Sequence, residues 1–201
     1  MSSNISSSEN TPLPPHVPGI PVETPQQKDQ KKRNERRNEI EKTASVVGSE
    51  RIILNGENLA KMDLSGINLS GARMNDVNLK RANLESAILD GTSLERATLV
   101  ETNLKNASLK KTKLFMASLK RANLEGTDFT EAYLGKATLQ GANLKGCNFS
   151  KARLHFTDIR GCDLSSTTLT GADLREARYN KETKWPPDFK LPELTGAVLV
   201  D

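Results

Sequence analysis

The chain has 201 residues, of which 35% are hydrophobic, only 4% are aromatic and 27% are charged, and its formal net charge is +4. So few aromatic residues are unusual for an ordinary globular core, and no apolar stretch is long enough for a transmembrane helix. The composition therefore excludes a helical membrane protein and favours a repeat architecture, and the modest positive charge supports only weak electrostatic binding of nucleic acid.

Residues 1–27 are rich in Ser and then in Pro, and they contain no basic start followed by an apolar run. Such a segment has too few apolar residues to form a packed core, so we predict a disordered tail. A secretory signal needs the basic and apolar regions that this segment lacks, so we predict a cytoplasmic protein.

Residues 28–50 form a highly charged stretch with few apolar residues, among them Ile40 and Ala44. The stretch lacks a continuous apolar face. The sequence leaves open whether it is a charged linker or a helix whose last turn caps the first repeat. Contact with nucleic acid or an anionic membrane is a further alternative.

Residues 51–179 follow a period of five. From Leu54 to Tyr179 every fifth residue is large and apolar, through 26 consecutive positions. A small residue stands two positions earlier in most pentads, as in Ala122-Asn123-Leu124. This period matches neither the period of a helix nor that of a strand, so neither element can bury all of these side chains. The pattern predicts a solenoid with one turning unit per pentad.

The motif of a small residue, Asn or Asp, Leu and two variable residues resembles the pentapeptide-repeat family. The resemblance covers about 126 of the 201 residues. It implies an all-β fold, a right-handed quadrilateral β-helix with four pentads per coil and about six coils, in which the large and the small residue of each pentad point inward. The family has many members with no assigned activity, and some members protect DNA gyrase by resembling duplex DNA.

The charged residues independently indicate four pentads per coil. Between positions 51 and 180, residues that lie 20 apart form 11 opposite-charge pairs and one like-charge pair. Residues at this separation are neighbours on successive coils of four pentads, and opposite charges stabilise such neighbours. Each exposed pair contributes only about 0.2–1 kcal/mol, so the ladders fix the register and the core supplies the stability. One predicted ladder runs through Glu85, Lys105, Glu125 and Lys145.

The predicted core is the column of large residues, in which Phe129 and Phe149 lie one coil apart and can stack. Asn83 begins a series of Asn residues that is predicted to form an amide ladder on one side. Cys147 and Cys162 occupy inward small slots, so we predict free core thiols rather than a disulfide. The core candidates are Leu84, Leu104, Leu124, Phe129, Leu144, Phe149 and Leu164.

Residues 180–201 interrupt the pentads with Trp185, Pro186 and Phe189. Pro cannot donate to a continuing ladder, and an uncovered end exposes unpaired backbone groups. We therefore predict a C-terminal cap with Trp185 over the last core layer. The segment is similar to C-termini of cyanobacterial members of the family. Some members pair through this end, so the sequence leaves open whether the protein is a homodimer.

No motif in the sequence indicates catalysis. There is no Gly-rich phosphate loop, no nucleophile with a supporting base and no cluster of metal ligands. The two His residues, His16 and His155, lie far apart in the chain. We therefore predict a non-enzymatic protein that has neither a cofactor nor a metal.

One side of the predicted solenoid differs from the others, because aromatic residues and Met occupy its outward positions among basic residues. This composition is typical of a protein interface. The alternatives are that the exposed aromatic residues are inert or that the N-terminal segment covers them. The candidate partner patch consists of Lys113, Phe115, Met116, Tyr133, Lys136, Arg153, His155 and Phe156.

The leading functional hypothesis is a rigid rod that binds an unidentified protein partner through this patch. The second is weak electrostatic binding of nucleic acid or an anionic surface, because the repeats carry 19 Lys or Arg residues against 14 Asp or Glu residues. A DNA mimic that binds gyrase is the third, and it fits less well because the acidic residues alternate with basic ones. The basic side is formed by Lys61, Lys80, Arg81, Lys120 and Arg121.

Overall fold

The structure, a computed structural model, describes residues 23–47, 52–189 and 195–200. Most of the predicted tail, residues 1–22, lies outside the described residues, as do residues 48–51, 190–194 and 201. The described residues form one helix followed by a solenoid and its C-terminal segment.

Helix α1 spans Pro25–Val47 and is 23 residues long. It begins with a capping box, in which the Thr24 N–H donates to Gln27 Oε1 at 2.7 Å and the Gln27 N–H donates to Thr24 Oγ1 at 3.2 Å. Pro25 suits the first helical position because the N–H that it lacks has no partner there. The helix therefore starts before residue 27, where the sequence placed the end of the tail.

The helix covers the N-terminal end of the solenoid. Ile40 is only 2% exposed and belongs to the core, and Ala44 packs against the same cluster. The guanidinium of Arg37 donates to the carbonyl oxygens of Asp63 and Ser65, both at 2.9 Å. One coil later the equivalent carbonyls accept backbone N–H groups from the preceding coil. Arg37 therefore supplies donors where no coil precedes. The stretch is a helix that covers the first coil, but most of its contacts come from its middle, at Arg36, Arg37 and Ile40, rather than from its last turn.

Parallel bridges join residues 20 positions apart, from Ile53↔Arg73 to Asp158↔Arg178, with one interruption. That separation equals four pentads. Each pentad contributes a single bridged residue to its side, so two-residue strands occur only at the C-terminal end of the described coils. There β1, Arg178–Tyr179, pairs in parallel with β2, Val198–Leu199.

Among the described residues, five ion pairs join residues 20 positions apart, which is the separation that the charge pattern indicated. In the predicted ladder through Glu85, only Lys105 and Glu125 form an ion pair, at 3.4 Å. The Glu85 carboxylate instead accepts a hydrogen bond from Asn103 Nδ2 at 3.1 Å. The other four pairs are Arg81 with Glu101, Asp76 with Arg96, Lys111 with Glu131 and Glu101 with Arg121.

The large residue of each pentad points into the solenoid. The rings of Phe129 and Phe149 stack with centroids 5.0 Å apart and planes 3° apart. Burying each Leu stabilises the fold by roughly 1.5–3 kcal/mol, which offsets the conformational entropy lost by the ordered coils. The seven predicted core residues, Leu84, Leu104, Leu124, Phe129, Leu144, Phe149 and Leu164, are each at most 2% exposed.

Polar side chains in the small slot bond to the preceding coil. The hydroxyls of Thr92 and Thr102 each donate to a Leu carbonyl of that coil at 2.7 Å. Cys147 and Cys162 are buried and free, and their thiols contact carbonyl oxygens in the same arrangement at 2.9 and 3.3 Å. Burial raises the pKa of each thiol to about 12. Since the thiolate is the reactive form, neither cysteine is a nucleophile at neutral pH.

An amide ladder runs along one side of the rod. In each step the Nδ2 group of an Asn donates to the side-chain Oδ1 atom one coil earlier, at 3.0–3.1 Å. Every step therefore needs an acceptor on the earlier residue and a donor on the later one. Asp63 satisfies this rule because the first residue only has to accept. The ladder consists of Asp63, Asn83, Asn103, Asn123 and Asn143.

The ladder stops at the next position, where Asp163 has no side-chain N–H to donate to Asn143 Oδ1. No bridge joins these two described residues, and the Leu144 N–H makes no backbone bond across the coils. An opening of about 360 Å³ lies here. Ala142 is partly exposed at its edge, whereas Ala122 in the equivalent slot is buried. We attribute the opening to two acceptors that face each other without a proton between them.

The residues predicted to form the cap lie together at the C-terminal end. Trp185 and Phe189 pack against the core, and their rings stack with centroids 5.1 Å apart. Tyr179, the last large residue of the unbroken pentad series, meets Trp185 edge-on at 5.5 Å. One extra residue enters before the cap, because Lys184 pairs with Asp163, 21 positions earlier. Pro186 follows Trp185 directly and is half-buried.

Candidate functional site

The predicted patch lies on one side of the solenoid. Parallel bridges place Tyr133 between Lys113 and Arg153 on successive coils. Phe115 and His155 line the same pocket as Tyr133. We call the set Lys113, Phe115, Met116, Tyr133, Lys136, Arg153, His155 and Phe156 the aromatic patch.

Four large apolar side chains of the aromatic patch face solvent. The exposed fraction is 38% for Phe115 and Tyr133, 49% for Phe156 and 51% for Met116. Of the other exposed large apolar side chains in the described coils, Ile88 lies on another side, and Ile53 lies on the side of the patch but three coils before Lys113. Such a concentration of apolar side chains beside cations is characteristic of interaction surfaces.

Cations lie over the aromatic rings of the patch. The guanidinium carbon of Arg153 is 4.6 Å from the centre of the Tyr133 ring. The ammonium of Lys136 is 5.6 Å from the centre of the Phe115 ring and 6.0 Å from that of Phe156. Each exposed cation–π contact contributes about 0.5–1 kcal/mol. These contacts hold the rings and the cations in position on the surface.

Gly135 forms the floor of a pocket of about 220 Å³ within the patch, between Phe115 and His155. A Cβ atom at Gly135 would lie 3.0 Å from His155 Nε2 and 3.4 Å from Phe115 Cδ2. Its φ lies outside the left-handed region, so space rather than backbone conformation favours glycine here. Gly135 was not among the site residues predicted from the sequence. The available signal was its position in the repeat, which lies one coil of four pentads from both Phe115 and His155.

Met116 and Phe156 adopt left-handed backbone conformations, with φ of 60° and 59°. This region costs a residue with a Cβ roughly 1–2 kcal/mol, whereas Gly adopts it readily. Gly occupies the same turn position in other pentads, as at Gly141 and Gly146. Among the 15 described non-glycine residues with positive φ, Met116 and Phe156 are the large apolar ones. The left-handed conformation recurs at this turn position along the whole rod, so the apolar side chains, and not the backbone conformation, distinguish the patch.

The cations of the patch have no carboxylate partner within the described residues. Lys113, Lys136 and Arg153 are absent from the ion pairs of the coils. One coil after Arg153, Asp173 pairs with Arg175 at 2.7 Å, and this hydrogen-bonded pair lowers the pKa of Asp173 to about 2. The patch therefore presents unpaired positive charge beside its apolar side chains.

The basic side, the second surface that the sequence singled out, is partly neutralised. Glu101 lies between Arg81 and Arg121 and pairs with them at 2.5 and 3.3 Å. The hydrogen bond from Arg81 lowers the pKa of Glu101, so the carboxylate is charged at neutral pH. Lys61, Lys80 and Lys120 make no ion pair with the described residues. The net positive charge of this side is therefore smaller than its number of basic residues alone would give.

Within residues 23–47, 52–189 and 195–200, no group of three or more His, Cys, Asp or Glu residues is arranged to hold a metal ion. No described helix has the length and apolar character needed to cross a membrane. His16 lies outside the described residues, and His155 belongs to the aromatic patch.

The repeats match a known sequence family. The family model of pentapeptide repeats finds eight copies in this chain. The matched ranges are residues 53–91, 78–114, 117–146, 127–165 and 147–178. These ranges cover more than half of the chain. The chain belongs to the pentapeptide-repeat family. The family fold is a right-handed quadrilateral β-helix, and the predicted membership is confirmed.

Three solved structures that are similar to this one have TM-scores below 0.5, and two of them are pentapeptide-repeat proteins from cyanobacteria. Rfr23 from the cyanobacterium Cyanothece 51142 is 26% identical over 67% of this chain and 88% of its own, with a TM-score of 0.37. The protein alr5209 from Nostoc PCC 7120 is 28% identical over 54% and 84%, with a TM-score of 0.32. QnrB1, a plasmid-mediated fluoroquinolone resistance protein, is 18% identical over 75% and 92%, with a TM-score of 0.41. No curated protein matches the chain.

Proposed function

We propose that this pentapeptide-repeat protein is a non-catalytic interaction protein, a rigid rod of about six coils of four pentads that binds a protein partner through the aromatic patch. The observation that carries the proposal is the group of four exposed large apolar side chains beside three unpaired cations on one side. Aromatic residues, Met and Arg are the residue types that interfaces enrich.

The solenoid is a suitable support for such a surface. The Met116 N–H donates to the Gly135 carbonyl at 3.0 Å, and the Lys136 N–H donates to the His155 carbonyl at 3.1 Å. Backbone bonds of this kind join the three coils that carry the patch. A surface that is already ordered loses less conformational entropy on binding, which favours affinity.

The test uses the double variant Met116→Gly and Phe156→Gly in the full chain. Both positions are left-handed, so glycine removes two exposed side chains while relieving backbone strain. The fold is therefore expected to be retained or slightly stabilised. Affinity capture from the native cell extract is expected to retain a partner with the unchanged protein and to lose it with this variant.

The matched control is the double variant Ser86→Gly and Asn106→Gly, which makes the same backbone change at two left-handed positions outside the patch. It is expected to retain the same partner as the unchanged protein. If all three proteins capture the same set at the same yield, the patch is not the binding surface. One alternative was that the N-terminal segment covers the patch. Its helix α1 instead contacts the first coil, at Glu57, Asp63 and Ser65, and residues 1–22 lie outside the described residues.

The second candidate is electrostatic binding of nucleic acid or an anionic surface. The observation that favours it is the set of three lysines on the basic side, Lys61, Lys80 and Lys120, that form no ion pair with the described residues. Binding that depends on a few such charges is weak and falls steeply with salt. Retention on heparin or DNA above physiological salt would favour this candidate, whereas release below physiological salt favours a protein partner.

A further inference from the structure

We propose that the aromatic patch recognises an acidic peptide segment carrying one apolar side chain, and that Gly135 is a specificity-determining residue because it keeps the receiving pocket open. This inference rests on the proposed function and names the chemistry of the partner. Three observations support it: the shape of the pocket, the charge around the pocket and the cations that lie over the aromatic rings of the patch.

The pocket selects a single apolar side chain. Its volume of about 220 Å³ suits one inserted side chain rather than a whole secondary-structure element, and its walls include the rings of Phe115 and Tyr133. The floor is Gly135, where a Cβ would crowd the His155 ring at 3.0 Å and would touch Phe115 at 3.4 Å. Apolar anchors in pockets of this kind supply a large share of binding energy at protein interfaces.

The charge around the pocket selects carboxylates. Two cations, Lys113 and Arg153, line the pocket, and Glu95 is the one carboxylate among its lining residues. Lys136 adds a third cation beside Phe115. The Arg153 guanidinium makes no hydrogen bond with the described residues, so its N–H groups are available to an incoming carboxylate. A planar guanidinium binds a carboxylate through two parallel hydrogen bonds. An acidic residue on either side of the anchor therefore complements this surface.

The same features favour a peptide over single-stranded nucleic acid. Nucleic acid that binds without sequence preference stacks its bases on aromatic faces. Here Arg153 lies over Tyr133, and Lys136 lies near both Phe115 and Phe156. Stacked bases would have to displace these cations from the rings, whereas a peptide side chain that enters the pocket does not.

The test uses three short synthetic peptides with a fluorescent label: Asp-Glu-Leu-Glu-Asp, its amide counterpart Asn-Gln-Leu-Gln-Asn, and Asp-Glu-Gly-Glu-Asp without the anchor. Binding to the full chain is followed by fluorescence anisotropy, and the site is located by NMR shifts of the patch residues. The first peptide is expected to bind at least about tenfold more tightly than either of the others, because a charged hydrogen bond and a buried Leu each contribute more than about 1.4 kcal/mol.

Two variants test the site itself. Gly135→Ala fills the floor while keeping every charge, and Arg153→Gln removes the carboxylate partner while keeping the pocket. Each is expected to weaken binding of the acidic Leu peptide by about tenfold. Lys145→Gln is the control for Arg153→Gln, because it removes a cation on another side. Thermal unfolding checks that each variant is folded.

Equal binding of the acidic and amide peptides, or unchanged binding to both pocket variants, would overturn the inference. An oligothymidylate that binds the patch more tightly than the acidic Leu peptide would do so as well. These outcomes are distinct from failure of the proposed function. If the acidic peptide shows no preference while the variant lacking Met116 and Phe156 still loses the captured partner, the patch binds a partner of other chemistry.

Discussion

Asp163 accepts hydrogen bonds from the N–H and hydroxyl of Ser165 at 3.0 and 2.5 Å, and it pairs with Lys184 at 3.1 Å. These contacts lower the pKa of Asp163 to about 2, so the carboxylate is charged at neutral pH. A charged carboxylate only accepts, and the amide ladder needs a donor at this position. The same residue type is harmless at Asp63, where the ladder begins.

Replacing Asp163 by Asn restores the missing donor. In the variant Asp163→Asn we expect Nδ2 to donate to Asn143 Oδ1 and the two coils to approach. One net hydrogen bond contributes about 0.5–1.5 kcal/mol, which raises the melting temperature by about 1–6 °C for a chain of this size. Amide exchange at Leu144, measured by NMR, is expected to slow.

The control is Asp63→Asn, because Asn accepts as well as Asp at the first position of the ladder and no coil opens there. It is expected to give no gain in stability. An unchanged exchange rate at Leu144 in Asp163→Asn would show that the opening has another cause.

The residues whose positions could be predicted from the sequence are those that recur in every pentad or in every coil. The pentad series and the charges one coil apart encode the stacking of coils, so the relation between Lys113, Tyr133 and Arg153 follows from arithmetic on the sequence. The opening at Asp163 depends on the direction in which amides donate, and the importance of Gly135 depends on the side chains of neighbouring coils. The period places Gly135 between Phe115 and His155 and places Asp163 one coil after Asn143, but the pocket at Gly135 and the opening at Asp163 were seen only in the structure.

At the scale of the element, α1 depends on its contacts with the first coil. Its apolar residues do not form a continuous face, and Ile40 is its fully buried side chain among those described. Arg37 adds two hydrogen bonds to backbone carbonyls. Isolated helices are marginal in water, so the docking contacts decide whether this one persists.

We therefore expect Ile40→Ser to release α1 while the coils stay folded. Truncating a buried Ile costs about 2–5 kcal/mol, and here the loss falls on the docking of one helix. Far-UV circular dichroism should lose helical signal, and amide exchange in α1 should accelerate. Asn38→Ser introduces the same residue at an exposed position of the helix and is expected to change neither signal. Retention of the full helical signal in Ile40→Ser would mean that α1 is stabilised by other contacts.

At the scale of the whole molecule, each described coil contacts its neighbours through parallel bridges between equivalent residues of successive coils. The stability of such a rod is approximately a sum of contributions from units and from the interfaces between them. The ends are then the parts most easily separated from the rest. Trp185, the single Trp of the chain, lies at the C-terminal end and reports on that region.

Leu124→Ala tests whether the rod unfolds as one unit. Leu124 is fully buried in a central coil, so its truncation is expected to cost about 2–5 kcal/mol. If the coils are strongly coupled, the urea transitions followed by circular dichroism and by Trp185 fluorescence shift together to lower urea. Ile88→Ser, on the surface, should move both by less than about 0.5 kcal/mol. When coupling between coils is weak, a defect in the centre leaves the capped end unaffected. A Trp185 transition whose urea midpoint does not move in Leu124→Ala would therefore show that the capped end is a separate cooperative unit.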